Sequence, residues 1–245
     1  MSSLIAKNIR TWADGYDMTT DLQQVGLDLM WDVHDMTVFM PAGSGGARKR
    51  ATGLEDVSAG VRGLWSAGAT SIDADSFANL GVADAVLTMS SDGAEGSIAY
   101  GMRQGRFKYS MFGETGAPAP FSLNFRGTQG QTSVARGMVF KTDAVAISGT
   151  GPTGTGLQLG AVGATQYLYA WAHVLTAGTT ITIQVQSSVD NTFASPTTRM
   201  TLGPITTTGG VWGTRVAGPI TDTWWRLNVS AITGSFLLAG LIGIR

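Results

Sequence analysis

From Gln24 to His34, within a run that extends to Met40, apolar and polar side chains alternate. Val25, Leu27, Leu29, Trp31 and Val33 fall on one parity, and Gln24, Gly26, Asp28, Met30, Asp32 and His34 on the other. Successive side chains of a β-strand point to opposite faces, so a period of two predicts a long two-faced strand. A second run, Val57, Ala59, Val61 and Gly63 against Ser58, Gly60, Arg62 and Leu64, predicts its partner. Between the two lies the stretch Pro41 to Thr52, in which Gly43, Ser44, Gly45 and Gly46 are followed by Arg48, Lys49 and Arg50. Glycines add little to a core, so this basic loop is expected to project from the sheet as a hairpin extension.

The rest of the chain continues the pattern. After a loose arm at 1–6, Lys7 to Trp12 predicts a short strand that ends in a turn at Asp14-Gly15. Asp73 and Asp75 predict the start of one short helix through Leu80, because a carboxylate satisfies free amides at a helix N-terminus. Val86 to Met89, Ile98 to Met102, Arg106 to Phe112, Pro120 to Arg126 and Val134 to Lys141 read as strands bounded by Gly, Asp or Pro turns. At 148–156 the composition turns to Gly, Thr and Pro, and only six charged residues follow it: Asp190, Arg199, Arg215, Asp222, Arg226 and Arg245. A domain boundary is expected there, with residues 1–147 as one β domain, 148–156 as linker and 157–245 as a C-terminal β-sandwich. Its strands are expected at Tyr167 to Thr176, Thr179 to Ser187, Arg199 to Leu202, Trp212 to Val216, Thr223 to Ser230 and Ser235 to Ile244. The fold class is therefore mainly β, antiparallel, with one short helix.

Composition narrows the function. Of 245 residues 43% are hydrophobic, enough for a large core, and only 13% are charged, with 34 glycines, which favours many strands joined by tight turns. A formal net charge of −1 gives no basic surface for wrapping nucleic acid. There is no cysteine and there are only two histidines, so thiolate metal sites, disulfides and His-based metal centres are not expected. No apolar run reaches the ~18 residues of a membrane span, and the last apolar segment, SFLLAGLIGI, reads as a buried strand. Gly149, Gly151 and Gly154 match GxGxxG, but Pro152 interrupts the motif and no helix opens after it, so no nucleotide site is expected. No GxSxG, HExxH or P-loop motif is present, and no nucleophile, base and charge-stabilising group assemble from His34, His173 and the carboxylates, so the chain is not expected to be an enzyme or to hold a cofactor. Six aspartates between Asp14 and Asp35, with no Lys or Arg among them, give the long strand an acidic polar face.

The run GYDMTTDLQQVGLDLMWDVHDMTVF, the loop after it, ATGLEDVSAGVRGLW, and the later Gly127 to Phe140 containing Arg136-Gly137-Met138-Val139 together resemble the major tail tube proteins of long-tailed, non-contractile bacteriophages. The resemblance covers roughly residues 1–145. It implies a structural virion protein whose copies form rings, usually hexameric, joined sheet edge to sheet edge around a channel and stacked into a tube for DNA delivery. It further implies that the loop carrying Gly43, Ser44, Gly45, Gly46, Arg48, Lys49 and Arg50 reaches the neighbouring ring, and that Asp28 and Asp32 are candidates to line the channel and repel phosphate. The implied partners are other copies of the chain, a tape measure protein and tail completion proteins. Genomic DNA passes without specific binding, and the implied location is the virion tail after assembly in the host cytoplasm. Residues 157–245 are expected on the outer surface, with Trp212 and Trp224 as candidate outer-surface aromatics, though a second barrel-forming domain with threefold rings is an alternative. Two other functions remain open at this stage: a glycan-binding β-sandwich protein using Trp212, Trp224 and Trp225, and another tail or decoration protein.

Overall fold

The computed structural model describes residues 8–37, 48–128 and 134–245. The fold is mainly antiparallel β with one short helix, as the alternation predicts. Strands β3 (Leu22–Asp35) and β4 (Arg50–Leu64) form the long hairpin. β4 also pairs with β7 (Pro120–Gly127), and β7 with the second half of β6 (Ile98–Met111). The first half of β6 pairs with β5 (Ala85–Ser90) and β8 (Ala135–Lys141). β5 pairs with β1 (Arg10–Ala13), which turns at Asp14-Gly15 into β2 (Tyr16–Asp17). Residues 98–102 and 106–112, expected as two strands, are thus one. The register against β7 slips between Arg106 and Lys108, a bulge of the kind that bends a strand and lets it serve two layers.

The helix α1 runs Ile72–Ala78, earlier than expected. Its cap is Ser71, whose hydroxyl accepts from the Ala74 amide at 3.4 Å, while Asp73 and Asp75 lie in the first turn and favour the positive end of the helix dipole. Arg106, fully buried, fastens α1 to the sheet: its guanidinium donates to the Asp75 carboxylate at 2.5 Å and to the Asp75 carbonyl at 3.1 Å. Removing Asp75 would leave this buried cation only Asp14, 3.7 Å away, as counter-charge, a costly loss.

Beyond residue 148 the chain forms β10 (Tyr167–Thr176), β13 (Gly209–Trp212), β14 (Val216–Ala217) and β16 (Leu237–Ile244), and a four-stranded sheet in the order β12 (Thr197–Ile205), β11 (Thr180–Ser188), β15 (Trp224–Thr233), β9 (Gly151–Gln158). The C-terminal β16 inserts between β10 and β8, so one twelve-stranded sheet runs through both parts of the chain. The expected sandwich of 157–245 therefore has one layer of its own and shares the other with β8 and β6. Most of the expected linker is strand: from Gly151 it is β9, the edge of the smaller sheet. Composition misled because an edge strand accepts what a linker contains. Pro152 needs no ladder donor there, and Gly154 sits at φ +70 with its α-carbon so near Phe140 that a β-carbon would lie 1.9 Å from the carbonyl oxygen.

Three apolar clusters separate the layers. Val57, Ala59, Val61, Leu123 and Phe125 of the hairpin sheet meet Leu87, Met89 and Met102. The opposite side of β5 and β1, through Val86 and Trp12, packs with Val139, Tyr169, Trp171 and Leu241. The far side of β10 and β16, through Ala170, Ala172, Leu238 and Ile242, packs on Ile181, Ile183, Val185, Trp225, Leu227 and Val229. Strands β5 and β16 are buried on both faces, which is why β16 is apolar without alternation and why Thr88 and Ser90 of β5 are buried polar residues.

Candidate functional site

The four strands β3, β4, β7 and the second half of β6 form one sheet with one face on the core and the other on solvent. Pairing places Gln24 beside Arg62, Arg62 beside Ser122, and Ser122 beside Ser110; likewise Asp28 stands beside Ser58, and Ser58 beside Arg126. The solvent face therefore carries Asp28, Asp32 and Asp56, but also Arg62, Lys108 and Arg126. Arg126 reaches Asp56 at 3.3 Å, and Asp28, Arg62, Lys108 and Asn124 line one shallow cleft. Asp28 and Asp32 are exposed on this face. The face as a whole is not acidic: three carboxylates stand against three cations, because β4, β6 and β7 supply the charges that β3 lacks. Arg62, Lys108 and Arg126 are the residues that sequence reasoning missed. Alternation in β4 already put Arg62 on the polar parity, and only the pairing shows that Lys108 and Arg126 join it.

The hairpin outruns its sheet. In register, Leu22 aligns with Gly63, Phe121 and Met111 at one end, and Leu27 with Ala59, Phe125 and Arg106 near the other. Residues 29–37 and 48–56 extend beyond. There Trp31 is 54% exposed, Val33 63% and Leu54 80%, and Leu29, Met30 and Met36 are about half exposed. Arg245 braces the root of the extension by pairing with Glu55. Between Trp31 and Val33 the register slips by one residue on β4, and at this bulge only glycine fits: a β-carbon on Gly53 would lie 2.5 Å from His34 Nε2 and 2.7 Å from Asp32 Cβ. At the last described residues of the hairpin, Thr37 takes the Lys49 amide on its hydroxyl at 3.0 Å, and Arg48 lies 3.9 Å from Asp35. Arg48, Lys49 and Arg50 are exposed; Gly43, Ser44, Gly45 and Gly46 lie outside the described residues.

Edges complete the geometry. Among the described residues β3 pairs only with β4, so its outer edge of 14 residues is open to them, and it holds no Lys, Arg or Pro of the kind that blunts an edge. On the opposite side of the same sheet, β6 beyond Arg106 pairs only with β7 among the described residues. The remaining edges are guarded: β2 and β14 have two residues each, β13 has four, β9 contains Pro152, and β12 contains Arg199 and Pro204.

The other residues singled out from sequence occupy simpler places. Trp212 stacks on Trp171, with centroids 4.9 Å apart, and is partly covered rather than presented as an outer platform. Trp225 is fully buried and donates to the Gly160 carbonyl at 2.8 Å. Trp224 is half-buried at the start of β15, on the outer face of the smaller sheet with Arg226 and Asn228. His173 is buried in the middle layer: Trp171 donates to Thr88 Oγ1 at 2.8 Å, and the hydroxyl lies 2.7 Å from His173 Nε2. His173 Nδ1 lies 2.9 Å from the Asp14 carbonyl, which only accepts, so the ring carries its proton on Nδ1 and accepts from Thr88 on Nε2. Burial pushes this histidine down to about 4. Among the described residues no three His, Cys, Asp or Glu gather as metal ligands, and no helix is long and apolar enough to cross a membrane.

No family model and no curated protein matches the chain. Among solved structures, it is similar to a chain of the virion of a native gene transfer agent particle, at 13% identity and TM-score 0.42, covering 55% of this chain and 98% of that one. A chain from the tail of the empty gene transfer agent particle, refined with C6 symmetry, gives 13% and 0.36 over 47% and 81%. The SPP1 Dit protein, described as a hub adsorption apparatus protein of phages infecting Gram-positive hosts, gives 12% and 0.38 over 98% and 100%. At these scores the likenesses assign no role.

Proposed function

We propose that the protein is a structural subunit of a phage tail whose copies close into a ring through the hairpin sheet and stack into a tube. The observation that carries this is the pair of open edges, β3 and the second half of β6, on opposite sides of one four-stranded sheet. Neighbours within the sheet are all antiparallel, so β3 runs opposite to β6. Copies related by rotation therefore bring β3 of one against β6 of the next in antiparallel sense, a head-to-tail contact that closes only as a ring. The apolar face is already covered by the subunit's own layers, so the sheet can curl only toward its polar face, which becomes the lumen.

Strand arithmetic favours six copies. Four strands from each of six subunits make a barrel of roughly 24 strands; at about 4.8 Å between strands and about 40° of tilt it is about 50 Å across. Three copies would give about 24 Å, which side chains largely fill. The resemblance of residues 1–145 to tail tube proteins supports the same reading, and the basic loop is then the connector between successive rings. Tape measure and tail completion proteins are its expected partners.

Negative-stain electron microscopy of the purified chain at high concentration tests the proposal. Hollow tubes or rings are expected, and deleting Gly43 to Lys49 should leave a folded protein that no longer forms tubes. Monodisperse monomers at every concentration would refute the ring.

A further inference from the structure

The smaller sheet turns one face to the core and the other to solvent. Trp225, Leu227 and Val229 of β15 and Ile183 and Val185 of β11 face inward, so the register places Trp224, Arg226 and Asn228 on the outer face beside Ser188, Gln186 and Gln184. The four strands hold no Asp or Glu and two cations, Arg199 and Arg226. Arg199 pairs with Asp222 at 3.0 Å, whereas Arg226 makes no ion pair among the described residues. Its position is nonetheless fixed. Nε donates to Gln186 Oε1 at 2.9 Å, Gln186 donates to Gln184 Oε1 at 3.3 Å, and the guanidinium lies over the Phe193 ring, 4.5 Å from the centroid. Phe193 belongs to none of the three apolar clusters, yet it is 7% exposed and stands at φ +51, a left-handed conformation that a bulky residue adopts only under constraint. Gly156 makes room for its ring, since a β-carbon there would lie 2.8 Å from Phe193. The two acids that come near, Asp190 in the same loop and Glu95 at β9, are engaged elsewhere, by Thr192 and by Thr155.

We infer that this outer face is a binding site for an acidic saccharide, with Arg226 as the anion receptor and Trp224 as the platform for the sugar ring. The site belongs to the smaller sheet and does not depend on the ring. A guanidinium whose Nε is already bonded and whose plane rests on an aromatic ring presents its two terminal amino groups, unbonded among the described residues, as a fixed fork that suits a carboxylate or a phosphate. Because Gln186 and Phe193 have already ordered the side chain, little freedom is left to lose on binding. The strands around it hold no carboxylate to repel an anion. Trp224 lies two residues along the same face, about 7 Å away, within reach of one sugar ring that bears an acidic group. Gln184, Asn228, Thr198 and Thr201 surround the pair with amides and hydroxyls, which donate and accept as sugar hydroxyls do. No Leu, Ile, Val or Met stands among them to hold an apolar peptide side chain.

Isothermal titration calorimetry on the full chain tests the site with five probes: sialyllactose, a glucose phosphate, neutral lactose, acetate and inorganic phosphate. At least one of the two acidic saccharides should bind, about ten-fold or more tighter than lactose and than the bare anion that matches its acidic group. Which of the two binds distinguishes a carboxylate from a phosphate. Arg226→Gln should bring the acidic saccharide down to the lactose level, and Trp224→Ala should weaken it about ten-fold while leaving the bare anions unchanged. Near-UV circular dichroism and the melting temperature check that both variants fold. Should Arg226→Gln not fold, Arg226→Lys takes its place: it keeps the charge and loses the fork, so the preference for the acidic saccharide should shrink. A bare anion that binds as tightly as the saccharide would make this a simple anion site and overturn the proposal. Lactose binding as tightly as the acidic saccharides would also overturn it, because Arg226 would then have no part. So would the absence of binding by both acidic saccharides at about 10 mM, or variants that bind them as the wild type does.

Discussion

His173 shows how a residue that looks chemical from sequence becomes structural in the fold. Its ring accepts from Thr88 and donates to the Asp14 carbonyl, so a second proton would break the chain of bonds and place a charge in an apolar layer. The unfolded chain takes that proton near pH 6.5 and the folded protein only near 4. Between these values the unfolded state binds more protons, so stability falls as pH is lowered through that window, by up to roughly 3 kcal/mol. Asp14 acts in the opposite sense. Burial raises its carboxyl above the usual range despite the Val86 amide and Arg106, so acid relieves a penalty there. The carboxylates of Asp35, Asp92, Asp190 and Asp222 are held below their ordinary value by hydrogen bonds, and their contribution is lost only below about pH 3.8, outside the histidine window. Urea midpoints at about pH 7 and about pH 4.5 should therefore show the wild type losing roughly 2 to 3 kcal/mol more than His173→Gln. Equal losses in the two proteins would assign the acid sensitivity elsewhere. Neither the depressed histidine nor buried Arg106 was legible in sequence, because their partners, Thr88, Asp14 and Asp75, are brought in by strands and a helix distant in the chain.

Among the elements, those with one wet face were legible and those with two buried faces were not fully so. Alternation found β3, and of β4 the half from Val57 to Leu64; the first seven residues of β4, Arg50 to Asp56, carry no such pattern. In β16 every second residue serves a different core, so SFLLAGLIGI announces burial but not its place between β8 and β10. The composition change at 148 marked a shift in surface character, and charge is scarce beyond it. A boundary of packing needs something else, a seam in the sheet, and β16 crosses that seam. A chain ending at residue 236 should therefore lose the native fold in both parts, because β8 and β10 each lose a ladder partner and the apolar side chains Leu238, Leu241 and Ile242 leave two cores. Near-UV circular dichroism and calorimetry would show this as the loss of a single cooperative transition. A fragment of residues 1–147 that keeps native near-UV signal and melts cooperatively would instead restore two independent domains.

At the scale of the whole molecule, the polar face of the hairpin sheet decides how a channel built from it would treat DNA. Read along β3 alone it is acidic. Read across the sheet it is balanced, with Asp28, Asp32 and Asp56 facing Arg62, Lys108 and Arg126. A duplex in a lumen of that composition meets neither a uniform repulsion nor a basic track, and Asp28 and Asp32 are what keep the three cations from forming one. Substituting both by asparagine leaves two lining cations per subunit uncompensated, and in a ring these charges repeat around and along the tube. Every phosphate that such a cation neutralises adds a salt-dependent attraction through counterion release. Wild-type tubes should therefore retain no duplex DNA in co-sedimentation at low salt, whereas Asp28→Asn/Asp32→Asn tubes should retain it and release it steeply as salt rises. Adding Arg62→Gln to that variant should restore the wild-type behaviour in part. Asp28 and Asp32 lie on the edge strand β3 with their side chains exposed on its polar face, so tube number is compared with wild type before DNA retention is read. Tubes of unchanged number that still ignore DNA would show that this face does not line the channel.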